Sequence, residues 1–384
     1  MPVRGHRTWL AALAALAAAT SSGLLHTAAA GEEPPQCAGT QCTAAAPPPG
    51  DVYGTEFLYD SHTVILAEGS EAELQDPGWS ASFGMQHVAE DDTCATMGWR
   101  ARAEPRRVWD AFTFFNELDV LRLRLHTLAP VVHRFVLAEA TRTHSNQPKP
   151  LVFEQAKADP AMARFLPLIE HVVVEDLPDS ADSWELEHFQ RNALVRGLAG
   201  AGDDDLVIVS DCDEVPSPHA VDLLRRCDGW DDTGPVQFYT RFYNFKFEFQ
   251  FEALWYHPQA ATARWLAGPK GRGSPERLRF ARTRPSHLRL EDAGWHLSFF
   301  ADTQGVVAKI KAYAHQEFNR GDMLNETAIA AAITQGSDYF YAHGKGEERF
   351  GKLHRASCHG LPRHVLENPR VYASWLPADG CEAD

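Results

Sequence analysis

Short apolar runs alternate with amphipathic segments in the first half of the chain, and this alternation predicts its secondary structure. Runs rich in β-branched and aromatic residues predict buried strands over 108–115, 134–140, 169–174 and 206–210. Apolar residues at helical spacing predict helices over 118–128, which Pro130 closes, and over 184–198. Because helices alternate with strands, we expect an α/β domain of the doubly wound, nucleotide-binding type.

The fourth predicted strand ends in a cluster of acidic side chains. Asp211, Asp213 and Glu214 follow its apolar residues directly, and Pro216 forbids the strand from continuing. Ligands of open α/β sheets bind beyond the carboxyl ends of the strands. Carboxylates crowded there repel one another, and Mn²⁺ or Mg²⁺ would offset this repulsion and bridge to a substrate's phosphates. We therefore expect Asp211 and Asp213 to bind a metal ion, although such acids also cap helices and fill turns.

The second half of the chain shows a different pattern, dominated by aromatic residues. Eight phenylalanines and tyrosines lie within 236–251, and their near-alternation predicts antiparallel strands. These rings either fill a core or form the wall of an acceptor site, because aromatic faces stack on sugar rings. Further along, Lys270 and Arg272 lie in a Gly-containing loop (270–274) that either closes over a diphosphate or is simply solvated.

The N-terminal segment has the pattern of an export signal. Arg4 and Arg7 precede an apolar run over 9–19, and small residues follow at 28–30. We expect 1–30 to be a cleaved signal peptide or a retained anchor that spans the membrane through 9–30. A stem and lead-in would occupy 31–104, with a Pro-, Ala- and Gly-rich stretch over 31–50, and a short tail would occupy 371–384.

Charge and cysteine content narrow the class of protein. The formal net charge of −16 and the pI of about 5.5 argue against a nucleic-acid partner. Seven cysteines leave at least one unpaired: Cys37 and Cys42 could close a small loop, and Cys212 has the character of a buried apolar residue. Asn325-Glu326-Thr327 is a glycosylation sequon that exposure in the secretory pathway would make usable.

Several motifs in a fixed order carry a family resemblance. They include Ser-Asp-Cys-Asp-Glu-Val-Pro at 210–216 and Gly-Trp-His-Leu-Ser at 294–298, with further matches at 114–121, 135–139, 149–153 and 366–369. Over 108–369 this order resembles glycosyltransferase family 17. The resemblance implies a GT-A-like fold over 105–370, a single nucleotide-sugar-binding domain with a mixed sheet behind a signal or anchor and a stem.

The resemblance also implies an activity. We expect a divalent metal, a UDP-GlcNAc donor, inversion at the anomeric carbon and a mannose-containing, N-glycan-type acceptor on a glycan or glycoprotein. It further implies a lumenal catalytic domain on the Golgi membrane, or a secreted form.

Other candidate site residues follow from this reading. His296, or else His315, would complete the metal's coordination, and Asp292, Glu317 or Asp182 would deprotonate the acceptor hydroxyl. The donor-binding candidates lie at strand ends, beside the acidic cluster and on the helix between the third and fourth strands. They are Asn116 and Glu139 for the nucleotide base and ribose, Arg191 for phosphate or as a surface helix residue, and Glu214 beside the metal or as a surface turn acid.

Three other functions remain compatible with the same residues. The protein could transfer from another nucleotide sugar, or bind carbohydrate through calcium without turnover. An apolar strand before Asp-x-Asp also begins phosphatases of the haloacid dehalogenase type, in which Asp211 would be the nucleophile and Asp213 the acid. That motif belongs on the first strand of its domain, whereas three strands are predicted to precede it here.

Overall fold

The computed structural model describes residues 85–231, 234–281, 288–339, 350–379 and 381. The predicted signal or anchor, most of the stem and the Cys37 and Cys42 loop lie outside these residues. Within them, no helix combines the length and the apolar character needed to cross a bilayer.

The strands are β1 (Met85–His87), β2 (Arg100–Ala101), β3 (Val108–Phe114), β4 (Arg134–Ala140), β5 (Ile169–Val174), β6 (Leu206–Asp211), β7 (Glu214–Pro216), β8 (Cys227–Asp228), β9 (Val236–Phe238), β10 (Arg241–Asn244), β11 (Lys246–Phe251), β12 (Gln259–Thr262), β13 (Leu288–Glu291), β14 (Gly294–Ser298) and β15 (Leu353–Arg355). The α-helices are α1 (Leu118–Leu128), α2 (Val152–Ala156), α3 (Ser183–Ala193), α4 (Pro218–Arg226), α5 (Ala263–Ala267), α6 (Pro275–Arg279), α7 (Thr303–Ala312), α8 (Glu326–Gln335) and α9 (Arg363–Glu367). Short 3₁₀ segments span Leu166–Leu168, Leu194–Leu198 and Gln316–Phe318.

The main sheet is mixed. Its order across the described residues is β1-β13-β9-β12-β6-β3-β4-β5, with β6, β3, β4 and β5 parallel and β12 antiparallel to both neighbours. The chain is therefore α/β with mixed sheets, which is consistent with a GT-A-like domain. The parallel strands read as continuous apolar runs because both faces are covered: α1 packs on one face and α3 on the other.

A second sheet carries the aromatic half of the chain. Its order is β15-β11-β10-β14-β7, and the antiparallel pair β10 and β11 confirms the expected strands. The aromatic residues of this pair are buried, which supports their role in the core. β14 runs antiparallel to β7, so His296 pairs in register with Glu214. The second sheet thus brings the Gly-Trp-His motif beside the acidic cluster.

Four predicted element ends differ from the structure: the ends of β3 and β6 and both ends of the helix predicted over 184–198. β3 ends at Phe114, and β6 extends to Asp211 because that residue pairs with Thr113 of β3. β7 includes Pro216, which is tolerated because β7 lies at the edge of its sheet. The helix predicted over 184–198 begins one residue earlier and becomes a 3₁₀ helix after residue 193. There Gly197 lies so close to β4 that a β-carbon would be 2.4 Å from Val136.

Disulfides tie the lead-in and the C-terminal segment to the domain. Cys94 pairs with Cys227 and Cys358 pairs with Cys381, whereas Cys212 is a buried free thiol, as its sequence context predicted. β1 adds to the edge of the main sheet through β13, and β2 pairs with β8. Part of the predicted lead-in therefore packs on the α/β domain.

Candidate active site

An internal arginine holds the turn between β6 and β7. Arg124 of α1 is fully buried and forms an ion pair with Asp110 of β3, with N–O distances of 2.6 and 2.8 Å. Its Nη1 also donates to the carbonyl oxygens of Asp211, Cys212 and Glu214 at 3.0, 3.2 and 2.7 Å. A charged donor shared by three carbonyls of the segment 211–214 fixes the path of the chain through the acidic cluster.

Asp211 faces two arginines from the α3 and α6 side of the sheet. Its Oδ2 lies 2.7 Å from Arg279, and its Oδ1 accepts from Arg191 at 3.1 Å and from Thr113 at 2.9 Å. Burial alone would raise the pKa of Asp211, but Arg279 and Arg191 hold it well below its usual range. Both oxygens of Asp211 are thus engaged by cations of the protein itself.

Glu214 belongs to the same buried network rather than to a surface turn. Its carboxylate is 1 % exposed and receives both Nη atoms of Arg279, at 2.6 and 2.8 Å. It also accepts from Trp255 Nε1 at 2.6 Å and from the backbone N–H of Asp211 at 2.8 Å. These four bonds use most of the carboxylate's accepting capacity inside the protein.

Asp213 faces the opposite side, toward α7. Its Oδ2 lies 2.5 Å from Lys309 Nζ, and Lys309 Nζ lies 3.8 Å from Glu117 Oε1. Burial would lower the pKa of Lys309, but Asp213 and Glu117 raise it above its usual value, so the amine stays charged. A single lysine therefore neutralises two carboxylates from different elements.

His296 lies on the other side of Asp213. Its Nε2 is 4.0 Å from Asp213 Oδ1, and its ring stacks on Phe242 at 4.7 Å between centroids. Burial lowers the pKa of His296, which favours the neutral imidazole that binds metals. Its Nδ1 is buried without a hydrogen-bond partner among the residues described.

These contacts test whether a divalent ion fits the site. The described part of the chain contains no group of three or more His, Cys, Asp or Glu side chains arranged around one point. Mg²⁺ sites that act on phosphates use only one or two carboxylates, because substrate oxygens and water complete the shell. Asp213 with His296 fits such a site, provided that Lys309 gives up one carboxylate oxygen. Asp211 fits less well, because arginines engage both of its oxygens.

The expected donor-binding residues are in three different settings. Asn116 lines a cavity beside Asp213. Glu139 is fully buried within β4 and accepts from the backbone N–H groups of α2, including that of Phe153 at 3.2 Å. Arg191 is buried rather than on the helix surface, and it bonds Glu276 at 2.6 Å and Glu187 at 2.7 Å as well as Asp211.

The three expected bases each contact other groups. Asp292 forms a two-pronged ion pair with Arg241 at 2.6 and 2.9 Å. Asp182 caps α3 by accepting from the backbone N–H of Trp184, and nine helical residues, about 13 Å, separate it from Arg191. Glu317 is exposed and bonds His315 at 2.6 Å. None of the three lines the cavity beside Asp213.

The two remaining sequence features lie outside the acidic cluster. In the 270–274 loop, Ser274 caps α6 and donates to Asn192 of α3 at 2.7 Å, so the loop is anchored at this end. Asn325 is exposed, and its Oδ1 caps α8 by accepting from the backbone N–H of Ala328.

A cavity of about 580 Å³ lies between the start of α1, the segment after β14, α7 and α8. Glu117 and Lys309 line it, and sequence reasoning passed over both. The sequence did carry a signal for Glu117: it is an acid that follows the end of a buried strand, β3, just as Asp211 lies at the end of β6. Lys309 and Arg279 lie on helices far along the chain from the acids that they contact, and Arg124 likewise lies far from the turn that it holds. No local pattern marks these three residues.

Comparison with known proteins defines the class of this α/β protein. The sequence model of glycosyltransferase family 17 matches residues 70–384. The chain belongs to this family, as the order of its motifs indicated.

Three curated relatives share one name, β-1,4-mannosyl-glycoprotein 4-β-N-acetylglucosaminyltransferase. The chain is 27% identical to the Rattus norvegicus protein over 329 residues, covering 76% of this chain and 61% of the relative. It is 27% identical to the Homo sapiens protein over 270 residues, covering 64% and 50%, and 26% identical to the Mus musculus protein over 329 residues, covering 76% and 61%. The chain thus spans between half and two thirds of the length of these relatives.

Proposed function

We propose that this protein is an inverting, metal-dependent transferase that moves GlcNAc from UDP-GlcNAc to a mannose-containing acceptor of the N-glycan type. Its family and the shared name of its relatives support the sugar and the acceptor class. The observation that carries the proposal is the position of Asp213 at the carboxyl edge of the main sheet, between Lys309 and His296. Ligands of open α/β sheets bind at this edge.

The residues around Asp213 fit a site for a departing diphosphate. When bound there, Mn²⁺ or Mg²⁺ would neutralise the charge that develops on UDP. Asp213 and His296 would hold the ion, and Asp211 would contribute by fixing the turn between β6 and β7 that carries Asp213. Lys309 would move from Asp213 toward a phosphate oxygen, because the metal ion would then neutralise the charge of the Asp213 carboxylate.

The buried network on the other side of the turn has a supporting role. Arg191 and Arg279 fix Asp211 and Glu214, and Arg124 holds the backbone between them. Asn116 would contact the donor from the segment that follows β3. Glu139 accepts from backbone N–H groups of α2 and would act on the donor only through that helix. The base among Asp292, Glu317 and Asp182 stays a prediction.

The proposed activity belongs in the secretory pathway, where glycoprotein acceptors are found. The cationic and apolar pattern of 1–30 supports entry into that pathway, with either a cleaved signal or a Golgi membrane anchor. Mass spectrometry of the mature N-terminus would distinguish the two forms, and an uncleaved cytosolic protein would contradict both.

The proposal can be tested with a panel of nucleotide sugars. Purified protein would be incubated with each donor and Mn²⁺, with and without a β-1,4-mannosyl glycopeptide, and the released UDP measured. We expect acceptor-dependent release from UDP-GlcNAc and its loss in excess EDTA. Turnover of a different nucleotide sugar alone would refute the donor assignment, and binding of glycan without any release would indicate a carbohydrate-binding protein.

A further inference from the structure

The cavity next to Asp213 has the size and composition of a small-ligand site. Its volume of about 580 Å³ falls within the range of about 300–1,000 Å³ that is usual for ligand pockets. Part of the cavity wall is aromatic and is formed by Phe299, Phe300 and Trp375. Charged groups line it as well, from Glu117 and Lys309. Because Lys309 also contacts Asp213, the cavity is directly adjacent to the proposed metal and diphosphate position.

Two residues of the cavity wall have an unusual backbone conformation. Phe245 and Phe299 have φ angles of 65° and 55°, in the left-handed region that bulky side chains rarely adopt. The N–H of Phe245 donates to Ser298 at 2.8 Å, and the two rings lie 6.2 Å apart. Backbone outliers of this kind concentrate at functional sites, where surrounding contacts hold them in place. The wall is thus held in a specific shape by the joined ends of β10 and β14.

Glu117 presents an oriented carboxylate to the cavity. Its Oε2 accepts from the backbone N–H groups of Phe115 and Asn116, both at 3.1 Å. Its Oε1 lies 3.8 Å from Lys309, which is an ion-pair distance rather than a hydrogen bond. One oxygen is therefore fixed by the backbone, and the other remains able to accept a hydrogen bond from a ligand.

The charges around the cavity favour a neutral ligand over a diphosphate. Glu117, Asp119 and Asp302 line it, against Lys246 and Lys309, so the acids outnumber the lysines. Negative potential in a cleft disfavours anions. Aromatic rings beside hydrogen-bonding side chains match a sugar, which has apolar C–H faces and a rim of hydroxyls.

We propose that this cavity binds the acceptor's reactive sugar residue and that Glu117, rather than Asp292, Glu317 or Asp182, receives the proton of its attacking hydroxyl. This inference rests on the transfer reaction proposed above. In that step the acceptor oxygen forms a bond to the anomeric carbon, and the bond from that carbon to the β-phosphate oxygen breaks. The electron pair of the broken bond leaves with UDP, and the hydroxyl proton passes to Glu117 Oε1.

A matched pair of substitutions on α8 tests the binding site. Ala330 lines the cavity and is exposed, whereas its exposed neighbour Ala331 does not line it. With a β-1,4-mannosyl glycopeptide as acceptor, we expect Ala330→Trp to raise the acceptor KM at least about tenfold and to leave the donor KM unchanged. Ala331→Trp should change neither. An Ala330→Trp effect on the donor KM alone, or no effect at all, would overturn the assignment.

A second pair of substitutions tests Glu117. Glu117→Gln keeps an oxygen for the two backbone N–H groups but cannot accept the proton, so we expect kcat to fall about a hundredfold, the usual scale for loss of a general base. UDP-GlcNAc binding, measured by calorimetry, should stay as in the wild type. The control is Glu367→Gln, an equivalent change on α9 away from the cavity. A kcat within about twofold of the wild type would exclude Glu117 as the base.

The measurements separate this inference from the proposed function. If the wild-type protein releases no UDP from UDP-GlcNAc, the transferase proposal itself fails. If it does so while Ala330→Trp and Glu117→Gln both behave as the wild type, the transferase proposal stands and the acceptor assignment fails.

Discussion

Two aspartates one residue apart, Asp211 and Asp213, differ in almost every physical respect. Asp211 is bound by Arg191 and Arg279, which are themselves buried in a network with Glu214 and other acids. Asp213 contacts a single lysine and lies near a cavity and near His296, whose pKa burial lowers. The first environment has little capacity left for a ligand, whereas the second can exchange one partner for another. We therefore predict a structural role for Asp211 and a chemical role for Asp213.

The turn between the strands produces this division. In a continuous strand, residues two apart point to the same face. Here β6 ends at Asp211 and β7 begins at Glu214, so residues 212 and 213 lie in a turn. Arg124 fixes that turn through three carbonyl oxygens, and the two carboxylates face opposite sides of the sheet edge.

Replacing Asp213 should have the largest effect on activity. We expect Asp213→Ala to lower kcat/KM by more than about a thousandfold, or ~4 kcal/mol, because it removes the proposed metal ligand beside the leaving group. Thermal unfolding should show a folded protein, and the surface variant Asp322→Ala should retain activity. Wild-type turnover in a folded Asp213→Ala protein would show that the comparison assigns the chemistry to the wrong carboxylate.

Disturbing the Asp211 side should instead reduce stability. Arg279→Met leaves Glu214 buried without its two-pronged partner, and we expect a loss of about 3 kcal/mol in the free energy of unfolding. Urea denaturation measures this loss, with the exposed Arg363→Met as the control. Adding Glu214→Gln to Arg279→Met should recover part of it, and an unchanged midpoint for Arg279→Met would contradict a structural role for this network.

Lys309 offers a test of competition at Asp213. Lys309→Met removes the cation that shares the carboxylate, so we expect Mn²⁺ to bind about tenfold more tightly, or ~1.4 kcal/mol, in calorimetry without donor. Turnover should fall at the same time, because a cation beside the diphosphate is lost. Weaker Mn²⁺ binding in this variant would mean that the ion and Lys309 do not compete for Asp213.

Low pH should reduce the free energy of unfolding through Asp211, and we expect this effect to be smaller than those above. The pKa of Asp211 in the folded protein lies below its value of about 3.9 in an unfolded chain. Its contribution to stability is therefore fully present above about pH 4 and is lost as the pH falls through the lower, folded value. Urea denaturation between pH 6 and 3 should show a shallower pH dependence for Asp211→Asn than for the wild type. Identical slopes would argue against the depressed pKa.

The sequence predicted the parallel half of the fold well because its signals are local. The bounds of α1, β4 and β5 agree with the predictions. Each of these elements is a segment with regularly placed apolar residues that ends at turn or polar residues. The change to a 3₁₀ helix after residue 193 had no local signal, and in that segment Gly197 packs closely against Val136 of β4, about 60 residues earlier in the chain. Helix propensity is a property of one segment's own residues, and tertiary packing can override it at an element's end such as that of α3.

The candidate site was predictable only in part for the same reason. The acidic cluster and the Gly-Trp-His motif are compact in sequence and could be recognised. The cations that decide the role of each acid, Lys309 and Arg279, lie on helices 96 and 68 residues away from Asp213 and Asp211 respectively. Nothing in the sequence distinguishes these two residues from the other lysines and arginines of the chain, and only the fold shows which carboxylate each one contacts.

The disulfide between Cys94 and Cys227 affects both the unfolding of the chain and what happens after a protease cuts it. It closes a loop of 133 residues that contains α1, α3 and the strands from β2 to β7. By loop entropy alone, such a closure disfavours the unfolded chain by roughly 5 kcal/mol. A protease that cuts within this loop would produce two polypeptides that still migrate as one covalent unit. Only a reductant would release them, so a gel with and without reductant would reveal cuts that activity measurements miss.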